Sequence, residues 1–247
     1  MLNVYKTKAI KHLLNSDTHN PTFKLNQFLI NKNYLISSLT GGGKTNFLIN
    51  YISRMSDTFT HVYIFTKKPD EILYAFLKEK LGQNCSLESI DNLVSLKDIK
   101  QDKTAQKLII FDDFINSNKA ILNKIDDYAI AARKYYFTCF FITQKFTCSS
   151  LKLREQIWYL ILLKMADKKS LNDIVSRINT DITKENIINI IKNAIKYPLN
   201  ACVINMHPTD VNKQFRRNFT DFYKIVDDLK DEPIDTIEMY NNDGIIN

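Results

Sequence analysis

The sequence predicts an α/β fold in which helices flank a mostly parallel central sheet. Short apolar runs, typical of strands covered on both faces, alternate along the chain with amphipathic segments of helical period. One run leads into a glycine-rich turn at residues 41–43, and another leads into an acidic pair at residues 112–113. Because ligands gather at the carboxyl ends of strands in such sheets, we expect both motifs at one site.

The glycine-rich turn lies in the segment YLISSLTGGGKTNFL, residues 34–48. Its glycines allow positive φ and expose the backbone, so successive N–H groups can converge on phosphate oxygens at the positive end of the next helix. Lys44 would then reach the β- and γ-phosphates of a nucleotide, and the Thr45 hydroxyl would bind Mg²⁺. The segment predicts a phosphate-binding loop; a glycine-rich turn without a ligand is the alternative.

The loop departs from the usual pattern GxxxxGK[ST] at one position, because the first glycine of that pattern falls on Ser38. Serine adopts many turn conformations, but it costs more than glycine where φ must be positive. The residues expected to contact the nucleotide are Ser38, Leu39, Thr40, Gly41, Gly42, Gly43, Lys44, Thr45 and Asn46.

The acidic pair ends the run KLIIFDDFI, residues 107–115, whose apolar residues predict a buried strand. Nucleotide hydrolysis needs one carboxylate at the metal ion and a second to polarise the attacking water. We assign Asp112 to Mg²⁺, together with Thr45, and Asp113 to the water. A helix N-cap with a solvated neighbour is the alternative for such a pair in isolation.

A third strand, predicted over residues 135–143 (YYFTCFFIT), ends just before Gln144. An amide at the end of a strand beside the carboxylate strand can sense the γ-phosphate or orient water. Gln144 is therefore our candidate for that role, and an exposed strand-end glutamine is the alternative.

The remaining elements follow from apolar periodicity and from capping and breaking residues. Residues 84–106 are expected to be irregular, with at most a short strand at Leu93 and Val94. We predict further strands at 61–67, 157–164 and, as the last one, 201–206, and helices at 44–55, 69–82, 117–134, 168–178 and 183–197.

Composition excludes several classes of protein. The chain is 45% hydrophobic and 25% charged with five Gly and five Pro, which does not suit a disordered or fibrous protein. Its apolar runs are well short of the roughly 20 residues that cross a bilayer, and its N-terminus lacks the apolar core of a secretory signal. The four cysteines show no metal-ligand spacing, so we expect reduced thiols in an intracellular protein.

The charge is unevenly distributed. Residues 226–247 carry seven acids and one lysine, so residues 1–225 hold +13 of a chain whose net charge is +7. A basic body suits a polyanionic partner such as nucleic acid, and a solvated lysine-rich surface is the alternative. We divide the chain into an N-terminal arm (1–29), an ATPase domain (30–225) and an acidic C-terminal tail (226–247).

Taken together, the strand before SLTGGGKT, the strand before Asp112-Asp113 and the segment RKYYFTCFFITQ resemble the FtsK/HerA superfamily. The resemblance covers roughly residues 30–225 and includes the late FRRNF segment (215–219). Within the superfamily it is to the genome-packaging ATPases of poxviruses, other large DNA viruses and virophages. It implies a P-loop NTPase of the additional-strand (RecA/FtsK-like) type, in which the Gln144 strand lies between the phosphate-loop strand and the Asp112 strand.

The resemblance also implies roles and partners. It places Lys44 and Thr45 on ATP and Mg²⁺, Asp112 on Mg²⁺, Asp113 as catalytic base and Gln144 as sensor. Such motors are homo-oligomeric rings, hexamers or pentamers, and an arginine enters the site of the neighbouring subunit. Our first candidate for that trans arginine is Arg133, and the second is Arg154.

We therefore expect an ATPase that translocates double-stranded DNA into a viral capsid. It would bind a capsid or portal component, use no membrane, and act in the host-cell cytoplasm, at the viral factory or on the virion. Basic residues Lys67, Lys68, Lys145 and Lys152 are candidates for DNA contact. The alternatives are another P-loop DNA motor (a helicase or chromosome-transfer ATPase), a nucleotide-dependent assembly scaffold, and a small-molecule kinase.

Overall fold

The computed structural model describes residues 20–99, 105–165, 168–224, 239–241 and 244–245. The predicted N-terminal arm before residue 20 and most of the predicted acidic tail lie outside this part of the chain. The seven α-helices described are α1 Phe23–Asn26, α2 Lys44–Arg54, α3 Ile72–Leu81, α4 Lys119–Ala131, α5 Leu151–Glu155, α6 Lys168–Val175 and α7 Lys184–Ala194. Short 3₁₀ helices connect several of them.

Strands of the described ranges form one eleven-stranded sheet. They are β1 Asn33–Ser37, β2 His61–Thr66, β3 Cys85–Ser89, β4 Lys107–Asp112, β5 Phe137–Thr143, β6 Tyr159–Leu162, β7 Cys202–Asn205, β8 Phe215–Arg217, β9 Asp221–Tyr223, β10 Met239–Asn241 and β11 Gly244–Ile245. Their order across the sheet is β11-β10-β9-β8-β7-β6-β1-β5-β4-β2-β3. The strands from β1 to β6 pair in parallel, whereas β7 and the later strands pair antiparallel.

The strand order confirms the additional-strand arrangement, because β5 lies between β1 and β4. Strands β4, β5 and β6 are buried along their whole length. Successive side chains point to opposite faces of a sheet, and the sheet therefore separates two apolar cores. Leu35, Ile109 and Phe141 belong to one core, and Ile36, Ile110 and Phe140 belong to the other.

The structure corrects three of the predicted elements. The strand in the region after α3 is β3, and Leu93 and Val94 are not in a strand. Edge strand β3 has one buried residue in five, so its sequence lacks the apolar run that marks the central strands. The strand at 202–205 is not the last, because β8 to β11 extend the sheet beyond it. The predicted helix 168–178 ends at Val175.

Arg216, the first arginine of the FRRNF segment, lies on β8 and is buried. Its Nη1 donates hydrogen bonds to the backbone carbonyls of Asn26, at 2.6 Å, and Phe219, at 3.0 Å. The guanidinium carbon lies 3.7 Å from the ring centre of Phe28. Burial lowers the pKa of Arg216 to about 10, against the opposing effect of nearby tyrosine hydroxyls. This arginine joins the segment before β1 to the antiparallel end of the sheet.

We expect Arg216→Ala to lower the free energy of unfolding by about 3 kcal/mol, because it leaves a cavity and two buried carbonyls without a donor. The neighbouring Arg217 forms a partly exposed ion pair with Asp221, at 3.0 Å, and serves as the control. Arg217→Ala should cost less than about 1 kcal/mol. Urea denaturation of both variants measures the difference, and equal losses would contradict the role given to Arg216.

Candidate functional site

The phosphate loop has the backbone that its glycines predict. Gly41 has φ +71° and Gly43 has φ +93°, in the left-handed region that favours glycine. A Cβ on Gly42 would lie 2.1 Å from Ser38 Oγ and 3.0 Å from the Leu39 carbonyl oxygen, so no larger residue fits there. Helix α2 begins at Lys44, directly after these glycines. The loop therefore presents bare backbone at the N-terminus of a helix, as anion binding requires.

Ser38 replaces the first glycine of the pattern without backbone strain. It is not among the residues with positive φ. Its side chain is buried, and its Oγ donates a hydrogen bond to the Lys164 carbonyl at 3.2 Å. The hydroxyl also occupies the space next to Gly42 that a side chain there would need. A serine is thus compatible with the loop at this position.

A cleft of about 600 Å³ lies at the carboxyl edge of the parallel strands. It brings together most of the residues that the sequence singled out: Thr40, Gly41, Gly43, Lys44, Thr45 and Asn46 of the loop region, Asp112 and Asp113 after β4, and Gln144 after β5. Ser38, Leu39 and Gly42 support the loop but are not among the lining residues. Lys68 and Lys145, two of the candidates for DNA contact, also line this cleft.

Lys44 is held against its own loop. Its Nζ donates hydrogen bonds to the carbonyls of Ser38, at 3.1 Å, and Leu39, at 3.2 Å. Burial lowers the pKa of Lys44, and the carboxylates of Asp112, Asp113 and Glu71 act in the opposite direction. The ammonium group is therefore partly desolvated beside the space that the glycines leave for phosphate, which strengthens its attraction for an anion.

Asp112 is the more buried of the two carboxylates, with 9% of its surface exposed. The buried Tyr74 hydroxyl on α3 donates a hydrogen bond to Asp112 Oδ2 at 2.7 Å. Burial raises the pKa of Asp112 to about 6, although the hydrogen bond from Tyr74 acts to lower it. The other residue of the pair, Asp113, is half-buried and has φ +52°, so the chain turns sharply away from β4 there.

Glu71 and Tyr74 are site residues that the sequence reasoning missed. Thr45 Oγ1 donates a hydrogen bond to Glu71 Oε1 at 3.2 Å, so the first turn of α3 contacts both proposed metal ligands. The signal was present in the sequence. Glu71 follows β2, which pairs in parallel with β4, and the rule that located Asp112 applies equally to the end of that strand.

The oxygen donors present suit a hard divalent cation. Mg²⁺ takes oxygen ligands, usually one or two carboxylates together with waters and substrate phosphates. Thr45 Oγ1 and the Asp112 carboxylate both face the cleft, and Tyr74 occupies only Oδ2 of that carboxylate. Among the described residues no cluster of three or more His, Cys, Asp or Glu side chains forms a metal site made by protein alone. Three of the free cysteines, Cys85, Cys139 and Cys202, are buried.

The two candidate arginines lie apart from the residues that line the cleft. Arg133 is exposed in the 3₁₀ helix that precedes β5, which places it at the opposite, amino-terminal edge of the parallel strands. Arg154 on α5 is half-buried, and its guanidinium carbon lies 5.5 Å from the ring centre of Phe146. Burial lowers the pKa of Arg154, and the positive charge of Arg177 lowers it further. Neither arginine reaches the cleft of its own chain.

Asp112→Asn should stabilise the magnesium-free protein at pH 7.5. The pKa of Asp112 is about 6 in the folded state against an ordinary value of 3.8, so ionisation costs more when the chain is folded. The penalty in the wild type grows as the pH rises from about 4 to 6 and is constant above that range. We expect a gain of up to about 3 kcal/mol for the variant at pH 7.5, and none below about pH 4.

Urea denaturation of both proteins in EDTA at several pH values tests this prediction. An Asp112→Asn protein that is less stable than the wild type at pH 7.5 would show that the Tyr74 contact depends on a carboxylate.

Within the described ranges, every helix is too short or too polar to span a bilayer.

Of the comparisons with known proteins, only the one with solved structures found similar proteins. No protein-family model matches the sequence, and no curated protein does. The genome-packaging NTPase B204 of Sulfolobus turreted icosahedral virus 2, solved with ATPγS, is similar with a TM-score of 0.57 at 12% identity, over 76% of this chain and 96% of that one. The DNA-packaging ATPase B204 of Sulfolobus turreted icosahedral virus gives 0.52 at 11% identity, over 77% and 98%.

A third structure comes from a larger protein. The ATPases 2 and 3 of EssC from Geobacillus thermodenitrificans give a TM-score of 0.50 at 12% identity, over 71% of this chain and 38% of that one. These similarities are similarities of fold, and they agree with the superfamily resemblance of the sequence motifs. The chain therefore has the α/β fold of the P-loop ATPases of the FtsK type.

Proposed function

We propose that this protein is an ATP-driven motor that translocates double-stranded DNA and packages a viral genome into a capsid. The observation that carries the proposal is the convergence of Lys44, Thr45, Asp112, Asp113 and Gln144 on one cleft. They come from three adjacent strands, β1, β5 and β4, in the order that the resemblance implies. The similarity of the fold to B204, a genome-packaging NTPase, supports the packaging role.

The loop residues would bind the triphosphate of ATP. Backbone N–H groups of the loop would bind the phosphates, apart from that of Gly42, which donates to the Leu39 carbonyl at 3.1 Å. Lys44 would exchange the carbonyls of Ser38 and Leu39 for phosphate oxygens. This exchange costs little, because the ammonium group is already partly desolvated. Thr45 and Asp112 would hold Mg²⁺, which neutralises charge that develops on the phosphates when it is bound.

Asp113 and Gln144 would act on the water that attacks the γ-phosphate. The carboxylate of Asp113 lies in the cleft just beyond the metal-binding Asp112, where it can accept a proton from that water. Gln144 is exposed at the end of β5, between the phosphate loop and the acidic pair, and its amide can orient the same water. Hydrolysis would therefore require all three strand ends to keep their alignment.

The basic body of the chain supports a polyanionic partner. Residues 1–225 carry +13, and a packaging motor must hold DNA of every sequence through its phosphates. We propose a homo-oligomeric ring in which each subunit's cleft faces the next subunit. Of the two candidate trans arginines, Arg133 is exposed and available to a neighbour, whereas Arg154 packs over Phe146.

ATP hydrolysis with and without double-stranded DNA tests the motor. DNA should raise the rate, and the stimulation should fade as salt is raised because phosphate contacts weaken. Lys44→Ala should abolish nucleotide binding, whereas Asp113→Asn should bind ATP and hydrolyse it at least about 100-fold more slowly. Asp127→Asn, an exposed acid on α4, is the matched control and should hydrolyse ATP at the wild-type rate.

If DNA does not change the rate of ATP hydrolysis, the protein is an ATPase but not a translocase. ATP binding without any turnover in the wild type would favour an assembly scaffold. Equal loss of nucleotide affinity in Lys44→Ala and Asp113→Asn would contradict the separate roles assigned to the two residues.

Mixing experiments test the trans arginine. Lys44→Ala and Arg133→Ala subunits should each be inactive alone. In a head-to-tail ring, about a quarter of the interfaces in an equal mixture would join an intact loop to an intact arginine, so activity should return. Arg154→Ala serves as the comparison. Recovery with Arg154→Ala instead of Arg133→Ala would reassign the arginine, and recovery with neither would contradict a trans arginine at these positions.

A further inference from the structure

The loop between α7 and β7, residues 195–201, lies against the phosphate loop. A Cβ placed on Gly43 would be 2.8 Å from Leu199 Cδ2 and 3.8 Å from Leu199 Cα. Leu199 therefore touches the last glycine of the phosphate loop, although nothing in the sequence connects two segments so far apart. The contact means that a ligand bound at Gly43 also lies close to Leu199.

Strand register places this loop on one particular side of the site. Ser37, at the end of β1, is paired with Leu162 of β6, and Leu162 is paired with Cys202 at the start of β7. Residues 195–201 therefore lie at the carboxyl edge of the parallel strands, on the β6 side of the phosphate loop. Asp112 and Gln144 lie on the other side, at the ends of β4 and β5.

Two large apolar side chains of this loop are exposed to solvent. Tyr197 and Leu199 each have 58% of their surface exposed. Leu199 has φ +66°, a left-handed conformation that is unusual for leucine and persists where the surroundings enforce it. Leu199 touches the phosphate loop, and Tyr197 precedes it by two residues in the same exposed loop, which distinguishes the pair from apolar residues scattered over a surface.

Hydrogen bonds to the turn after β8 fix the loop in place. The Ala201 amide donates to Asn218 Oδ1 at 2.9 Å, and the Asn218 amide donates to the Ala201 carbonyl at 2.8 Å. Asn218 Nδ2 also donates to Asn200 Oδ1 at 3.1 Å. These contacts anchor the residues directly after Leu199, so Leu199 is held beside the phosphate loop.

In the proposed site the γ-phosphate of ATP would point toward Asp112 and Gln144, which lie on the β5 and β4 side of the phosphate loop. Its ribose and base would then leave the loop on the opposite side, where Leu199 lies. A nucleobase is flat with apolar faces, and it stacks on aromatic and aliphatic side chains. We propose that Tyr197 and Leu199 form the platform on which the nucleobase of ATP rests. This inference rests on the proposed ATPase function and names a base-binding subsite within it.

Binding of ATP and of inorganic tripolyphosphate to the full-length protein separates base contacts from phosphate contacts. The test variants are Tyr197→Ser, Leu199→Asn and the double variant. Asparagine adopts the left-handed conformation more readily than other residues, so Leu199→Asn removes the apolar surface and keeps the backbone. Tyr197→Phe keeps the ring, and Leu151→Ser removes an exposed leucine of α5, which is 53% exposed, as a matched control.

We expect the double variant to bind Mg-ATP about tenfold more weakly, in keeping with the loss of one stacked base, while its affinity for tripolyphosphate is unchanged. Tyr197→Phe and Leu151→Ser should bind both ligands as the wild type does. Unchanged ATP affinity in the double variant would overturn the platform, and so would an equal loss for both ligands, because that result shows support of the phosphate loop alone.

The same titrations separate this inference from the proposed function. A wild-type protein that binds tripolyphosphate as tightly as ATP overturns the platform and leaves the phosphate loop intact. A wild-type protein that binds neither ligand overturns the proposed function together with the platform.

Discussion

Two backbone hydrogen bonds hold the phosphate loop to the strands on either side of it, and the rest of the site depends on them. The Ser38 amide donates to the Thr143 carbonyl at the end of β5, at 3.2 Å, and the Leu39 amide donates to the Lys164 carbonyl after β6, at 3.0 Å. The first bond sets the loop against Gln144, which follows Thr143. The second sets it against the β6 side, where Leu199 contacts Gly43.

The site combines groups whose charges are costly to bury with an apolar sheet that surrounds them. Asp112 ends a strand in which it follows four apolar residues, and burial raises its pKa to about 6. Tyr74 and Lys44 compensate in part, since both favour the ionised carboxylate, whereas Glu71 opposes it. A cation bound between Thr45 and Asp112 would offset this cost. The protein is therefore less stable with this site empty than with a cation bound, and such a cost is common at functional sites.

Arg216 shows a different use of a buried charge. It contacts the ring of Phe28 and the carbonyls of Asn26 and Phe219, which belong to the beginning and the end of the described domain. The ring of Phe219 in turn stacks on Phe47 of α2 at a centroid distance of 4.8 Å. The packing of the antiparallel strands is thus continuous with the helix that follows the phosphate loop.

The sequence by itself determined the fold class, the phosphate loop and the acidic pair. Each depends on local chemistry: glycine adopts the positive φ angles of Gly41 and Gly43 without strain, and buried parallel strands need unbroken apolar runs such as residues 108–111. The resemblance added the position of β5 between β1 and β4.

Only the tertiary structure decided which distant side chains meet. Edge strand β3 carries little apolar signal. Arg216 is buried against Asn26, which lies 190 residues earlier in the chain, and Tyr74 and Leu199 reach the site through strand order. Local sequence cannot encode these contacts, because they arise from the pairing of segments separated by tens of residues.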